Sequence, residues 1–249
     1  MPTAKDHLII ALDTSNEEEA MKHVLKLKDY VGYFKVGLEL FTGVGPKIIK
    51  LIKDEGSKVF FDGKFLDIPN TVSKAVSNMV LHKVDMINVY MSGGTQMIHD
   101  TKIALIETAR KNNITLPKLL GVTVLTSITS DILEDDLKIK AELNEYVVHL
   151  AELAIKNNMD GIICSPNEAE VVSKLKKEKH KSLDEFLIVT PGVRPFWAEA
   201  HDQKRVATPK EAIQKGATHI VVGRPITEAK DPVDAVKKIV DEIEEALEM

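Results

Sequence analysis

The 249-residue chain is predicted to be an α/β protein: a (β/α)8 TIM barrel, eight parallel strands ringed by helices, forming one domain over residues 1–249. Three observations predict it. Short β-branched apolar runs alternate with amphipathic helical stretches along the whole length. The runs are apolar at nearly every position, as in parallel strands covered on both faces. Eight such units follow one another without a linker, a low-complexity segment or a shift in composition. A doubly wound open sheet is the alternative, but it usually has fewer strands, and no G-x-G-x-x-G follows the first run.

The expected strands are, in order, "HLIIALD" (7–13), "YFKVG" (33–37), "KVFFD" (58–62), "DMINVY" (85–90), "LLGVTVLT" (119–126), "DGIICS" (160–165), "FLIVTPG" (186–192) and "THIVVG" (218–223). Helical stretches lie between them. "EEEAMKHVLKLKD" follows the first strand, and "NEYVVHLAELAIKNN" aligns Val147, Leu150, Ala151, Ala154 and Ile155 on one face. The last, "DPVDAVKKIVDEIEEALE", has Pro232 just inside a helix start and a stripe of Val236, Ile239, Val240 and Ile243.

Composition narrows the function classes. Hydrophobic content of 44% and charged content of 29% are ordinary for a globular protein. A net charge of −5 argues against a nucleic-acid partner, and the basic run "KLKKEKHK" (174–181) reads as the solvated end of a helix. "MPTAKDHLIIALD" is too short in apolar residues for a signal peptide, and no stretch is long enough to span a bilayer, so no membrane role is expected. The single cysteine, Cys164, cannot form an intrachain disulfide, which fits a cytoplasmic location. Within "GIICS" it reads as a small core residue.

In barrels of this kind the chemistry sits at the C-terminal ends of the strands. Those ends present Asp13, Lys35, Asp62 with Lys64, Thr126, Pro191 with Arg194, and Gly223 with Arg224. Charged groups at so many strand ends favour an enzyme acting on an anionic small molecule. The stretch "FFDGKFLDIPNTV" (61–73) sharpens this. Strand alternation points Asp62 and Lys64 to the same face, into the mouth. Pro69 and Asn70 look like a helix start, with Thr71 in its first turn. Asp67 then lies in the connecting loop, close to the site or reaching across an interface. With Lys35 on the neighbouring strand, acids and lysines alternate. Each contact is worth on the order of 4 kcal/mol before desolvation, so a poor arrangement would destabilise the fold. Such arrangements cluster at functional sites.

At these residues the chain resembles the orotidine 5′-phosphate decarboxylase family, bacterial type. "ALD" (11–13), "KVG" (35–37), D-x-K-x-x-D-I-P-x-T (62–71), "VTVLTS" (122–127), "TPGVRP" (190–195), "DQKRVATP" (202–209) and "VVGRPIT" (221–227) occur in the family's order, essentially end to end. The resemblance implies cofactor-free and metal-free decarboxylation of orotidine 5′-monophosphate to UMP, the last step of UMP biosynthesis. It makes Lys64 the acid that protonates C6, places Asp62 beside the substrate carboxylate, and completes the network with Lys35 and Asp67. It further implies a homodimer in which Asp67 and Thr71 come from the partner. Asp13 and Lys35 would bind the ribose, Thr126 the pyrimidine edge, and Arg194, Gln203, Gly223 and Arg224 the 5′-phosphate, with Pro191 lining the site.

The physics of the reaction suits these residue types. Decarboxylation without an electron sink generates a carbanion-like centre, which needs a fixed positive charge and a nearby proton. The long segment "PGVRPFWAEAHDQKRVATP" is expected to be a lid that closes on the phosphate; Trp197 within it fits a lid-packing residue and a substrate contact equally. Two departures from the family stand out. Gly63 replaces the usual leucine and is expected to affect the backbone only, and Tyr90 stands where many relatives have histidine. His82, His149 and His180 read as surface or packing residues. The rivals are a magnesium-dependent sugar-phosphate decarboxylase or synthase of the same barrel group and a non-catalytic nucleotide-binding barrel. The first tends to carry a glutamate ligand where this chain has Lys35. The second has little reason to keep a lysine between two acids.

Overall fold

The computed structural model describes residues 3–179, 186–198 and 207–248. Eight parallel strands close on themselves in chain order: β1 (Leu8–Ala11), β2 (Tyr33–Gly37), β3 (Val59–Phe65), β4 (Met86–Tyr90), β5 (Lys118–Val122), β6 (Gly161–Ile163), β7 (Leu187–Thr190) and β8 (His219–Val222). The outer ring comprises α1 (Glu17–Leu27), α2 (Leu38–Val44), α3 (Lys47–Asp54), α4 (Pro69–Leu81), α5 (Gly94–Lys111), α6 (Leu143–Lys156), α7 (Pro166–Lys179), α8 (Pro209–Gln214), α9 (Arg224–Thr227) and α10 (Pro232–Leu247). The closed parallel barrel expected from the alternation is the one observed.

The strands read as continuous apolar runs because each separates two cores. Ile9, Phe60, Met86, Leu120, Val189 and Val221 fill the barrel interior. Their chain neighbours, such as Leu8, Ile10, Phe61 and Ile87, face the helices. The helices bury the stripes expected of them: Val147, Leu150, Ala151, Ala154 and Ile155 on α6, and Val236, Ile239 and Ile243 on α10, where Val240 is only half-buried at the edge. Caps set their starts. Asn16 accepts from the Glu19 amide at 3.0 Å before α1, and Asp231 accepts from the Val233 amide at 3.1 Å with Pro232 opening α10. The second unit carries two helices because Gly45 (φ 82°) ends α2 in the left-handed region and Pro46 precedes α3.

Two strand ends differ from expectation. β5 stops at Val122, so Thr126 lies in the loop beyond it, and β3 runs on to Phe65. The extension of β3 is irregular. Phe61 pairs with Ile87 and Phe65 with Val89, which leaves Asp62, Gly63 and Lys64 opposite Asn88 alone. Three residues against one is an insertion of two. An even insertion keeps the side-chain faces in phase, whereas a single extra residue would exchange them. Lys64 absorbs the slack in a left-handed conformation, φ 46°, a geometry costing roughly 1–2 kcal/mol for a residue with a Cβ.

The opposite end of the barrel is closed by aromatic rings. His219 lies 5.7 Å from the His7 ring and 5.8 Å from Tyr33, with its Nδ1 3.1 Å from the Thr218 hydroxyl. Burial, then the nearby His7 and Lys58, push its pKa down from 6.5 to about 4, against a weaker pull from Asp6. An unfolded chain therefore binds a proton here that the folded chain refuses. The associated stability is present above pH about 6.5 and is lost as pH falls towards 4, with an upper limit of about 3 kcal/mol. Urea unfolding of His219→Gln should accordingly show a shallower loss of stability between those pH values than the parent; parallel curves would rule the assignment out.

Candidate active site

A pocket of about 330 Å³ opens at the C-terminal mouth of the barrel. Asp13, Lys35, Asp62 and Lys64 line one side, and Pro191, Arg194, Gly223 and Arg224 line another, with Thr126 reaching in from the loop after β5. With Ile163 and Cys164 at the end of β6, seven strand-end regions converge on one cavity.

The charged side is a chain of contacts centred on Asp62, whose side chain is only 10% exposed. Lys35 Nζ lies 3.1 Å from Asp13 Oδ1 and 3.5 Å from Asp62 Oδ2. Lys64 Nζ donates to Asp62 Oδ1 at 2.7 Å. The fully buried Asn88 also donates from Nδ2 to Asp62 Oδ1 at 2.7 Å, while its own Oδ1 accepts from the Lys64 backbone N–H at 2.7 Å. Only one orientation of the Asn88 amide serves both neighbours, because a carboxylate accepts and a backbone N–H donates.

Charge states follow from these contacts. Burial works to raise the Asp62 pKa, but the Lys35 and Lys64 charges and the hydrogen bonds from Lys64 and Asn88 outweigh it and hold the carboxyl below the usual aspartate range. Burial likewise works against the Lys35 ammonium, and Asp62 with Asp13 outweighs it, so this lysine is held above the ordinary lysine range. Glycine makes room for the cluster at two points. A Cβ at Gly37 would lie 3.0 Å from Lys35 Nζ, and one at Gly223 would lie 3.3 Å from Asp13 Oδ2.

On the other side Arg194 is buried, and its backbone N–H donates to the Ala207 carbonyl at 2.9 Å. Val193 bridges to Ala207, which joins the two ends of the long segment at its base. Gln203 lies outside the described residues. Trp197 does not line the pocket; its ring lies under Lys238 of α10, 6.0 Å from Nζ to centroid.

Asp67 and Thr71 are not brought into the pocket. Asp67 Oδ1 accepts from the Ile68 N–H at 2.6 Å, and both residues are exposed beside the uncovered Leu66 and Ile68. Cys164 lines the pocket but is buried. Its thiol is pushed far up by burial and by Glu168, consistent with a small packing residue. Of the two family departures, Gly63 proves to be a matter of side-chain packing and not of the backbone alone. A Cβ there would lie 2.5 Å from the Phe61 ring, which packs at 4.8 Å on Phe41 and 5.8 Å from Phe65. Tyr90 packs against the barrel-interior cluster, and burial and the Asp62 charge push its hydroxyl pKa up. Of the histidines set aside, His82 and His149 do not line the pocket, and His180 lies outside the described residues.

Sequence reasoning missed Asn88. The signal was a lone amide in "DMINVY", at a position that alternation turns inward, among neighbours that are all apolar. Among the described residues no cluster of three or more His, Cys, Asp or Glu side chains could hold a metal ion, and no helix is long and apolar enough to cross a membrane.

Comparison with known proteins agrees with this geometry. The family described as orotidine 5′-phosphate decarboxylase / HUMPS matches residues 6–239. A protein named orotidine 5′-phosphate decarboxylase from Moorella thermoacetica is 43% identical over 241 residues, covering 97% of this chain and 93% of that one. One of the same name from a Nostoc species is 42% identical, covering 96% and 98%. The crystal structure of orotidine 5′-phosphate decarboxylase from Lactobacillus acidophilus superposes with a TM-score of 0.81 at 40% identity, covering 95% and 98%.

The Asp62–Lys35 contact is buried on both sides, so removing one charge strands the other. Lys35→Met should lower unfolding free energy by about 3 kcal/mol in a urea titration. It should also raise the Asp62 carboxyl titration followed by 13C NMR. The double variant Lys35→Met/Asp62→Asn should recover part of that stability; strictly additive losses would show that the two groups are not coupled.

Proposed function

The chain belongs to the orotidine 5′-phosphate decarboxylase / HUMPS family, and on that premise we propose that it converts orotidine 5′-monophosphate to UMP and carbon dioxide without a metal or cofactor. The observation that carries this reading is a lysine ammonium 2.7 Å from a buried carboxylate, in one pocket with Arg194 and Arg224.

In this reading the two arginines hold the 5′-phosphate, with Gly223 allowing close approach and Arg224 offering a two-pronged guanidinium. Asp13 and Lys35 take the ribose hydroxyls, and Thr126 takes the pyrimidine edge. That places C6 and its carboxylate beside Asp62 and Lys64. The C6–carboxylate bond breaks with its electron pair left on C6, carbon dioxide departs, and Lys64 Nζ delivers a proton to C6. The lysine, left as an amine, regains its proton from water. The fixed ammonium stabilises charge as it develops, held in place by the carboxylate of Asp62. Asp62 facing the substrate carboxylate adds like-charge repulsion that bond cleavage relieves.

Asp67 and Thr71 complete the set from a second copy of the chain. Their exposure next to Leu66 (54% exposed) and Ile68 (67%) supports an apolar contact at that place. This step would complete the synthesis of UMP, and we place the protein in the cytoplasm. The rival magnesium-dependent chemistry is disfavoured because the position between the Asp13 and Asp62 carboxylates is taken by Lys35 Nζ.

Purified protein in excess chelator should therefore deplete the absorbance of orotidine 5′-monophosphate. Lys64→Ala should remove that turnover while ligand binding persists. Activity lost to the chelator would restore the metal-dependent rival, and binding without turnover in the parent would indicate a nucleotide-binding barrel. Mixing inactive Lys64→Ala and Asp67→Ala proteins should regain about a quarter of parental activity, since half the dimers are hybrid and each hybrid holds one intact site. No recovery on subunit exchange would reject a shared site.

A further inference from the structure

We propose that Asn88 is a positioning residue for this reaction: its amide keeps Asp62 from competing with C6 for the Lys64 proton and holds the Lys64 backbone where Nζ reaches the pocket. The inference rests on the decarboxylase reading for its chemistry, while its geometry stands on the contacts alone.

The backbone half of the argument comes from strand register. Between the pairs Phe61–Ile87 and Phe65–Val89, β4 supplies only Asn88 to face three residues of β3. The main-chain ladder cannot satisfy every amide there, and an unpaired buried N–H is costly. Asn88 Oδ1 takes the Lys64 N–H at 2.7 Å, so a side chain replaces the missing rung. That bond fixes the residue whose left-handed φ of 46° turns the lysine into the mouth.

The second half comes from Asp62 Oδ1, which accepts from two donors, each at 2.7 Å: Lys64 Nζ and Asn88 Nδ2. Of the two, only the lysine gives up a proton in the reaction. As Lys64 transfers it, Asp62 is the nearest basic oxygen and the natural rival for it. The Asn88 N–H, which does not titrate, still occupies that oxygen and lowers its proton affinity, so the transfer runs to carbon. Asn88 is 0% exposed and its amide can adopt only one orientation, so the donor does not wander.

Two variants separate the halves. Asn88→Ala removes both contacts, and Asn88→Asp keeps an acceptor for the Lys64 N–H while setting a second carboxyl against Asp62. For orotidine 5′-monophosphate, kcat of Asn88→Ala should fall roughly a hundredfold, as for an angstrom-scale misplacement, with KM moved far less. The acid limb of the kcat/KM profile should move to higher pH in both variants. The move should be larger in Asn88→Asp, because two adjacent carboxyls cannot both ionise freely. A kcat within threefold of the parent, or a large loss with the acid limb unmoved, overturns the proposal and leaves Asn88 a packing residue. In the unmodified protein the Asn88 side-chain amide protons should shift in step with the Asp62 carboxyl carbon as pH is lowered. Amide signals indifferent to that titration overturn the proposal even if neither variant folds. A parent inert towards the nucleotide would refute the decarboxylase reading, and the NMR titration would still decide the role of Asn88.

Discussion

An ionised carboxylate inside a barrel cannot exist alone. Taking the Asp62 charge out of water costs several kcal/mol, and the site is the means by which this chain offsets it. Lys35 arrives from β2, Lys64 from the same strand, and Asn88 from β4, so three adjacent strands each supply a donor to one side chain. None would be in reach if the strands were not closed and in register. The barrel's geometry and the acid's charge state are therefore one constraint seen from two sides. The lysines answer to it as well, because Lys35 keeps its proton in a buried place only through Asp62 and Asp13.

The molecule keeps its two sensitive titrations at opposite ends. At one end of the strands, Asp62 and Lys35 hold each other charged. At the other, His219 is held neutral among rings, beside His7 and Tyr33. Between them lies the apolar interior built from Ile9, Phe60, Leu120 and their neighbours. Acid can thus weaken the fold at its floor, away from the charged cluster at its mouth.

Much of this was legible beforehand, for identifiable reasons. The barrel showed because doubly covered strands are apolar at every position, a pattern that survives local error in where each strand ends. Asp62, Lys64, Lys35, Asp13 and Arg224 showed because several apolar runs in one chain each close on a charged residue, with acids and lysines alternating. What stayed hidden depended on pairing between segments distant in sequence. Asn88 looked like an unremarkable letter in β4 until β3 lay beside it. Gly63 showed only as a departure from the family's leucine, because the Phe61 ring that fills its place comes from the packing of Phe41 and Phe65. Thr126 was placed at a strand end by a run of β-branched residues that the chain in fact spends on a loop. Asp67 and Thr71 stay exposed and outside the pocket, because the loop and first helical turn that carry them leave the mouth, a course set by how α4 docks and not by the spacing within the motif.

The even-numbered insertion in β3 bears on how such a site could be moved to another scaffold. Pasting D-G-K into a regular strand of a different barrel would present the right letters on the right face and still leave the lysine's carbon chain on the wrong trajectory. The graft would have to bring along a neighbouring strand two residues shorter over that stretch, with an amide at the gap. The transferable unit is thus a pair of unequal strands, and a search for kindred sites among unrelated barrels would do better to compare strand lengths than to match hexapeptides.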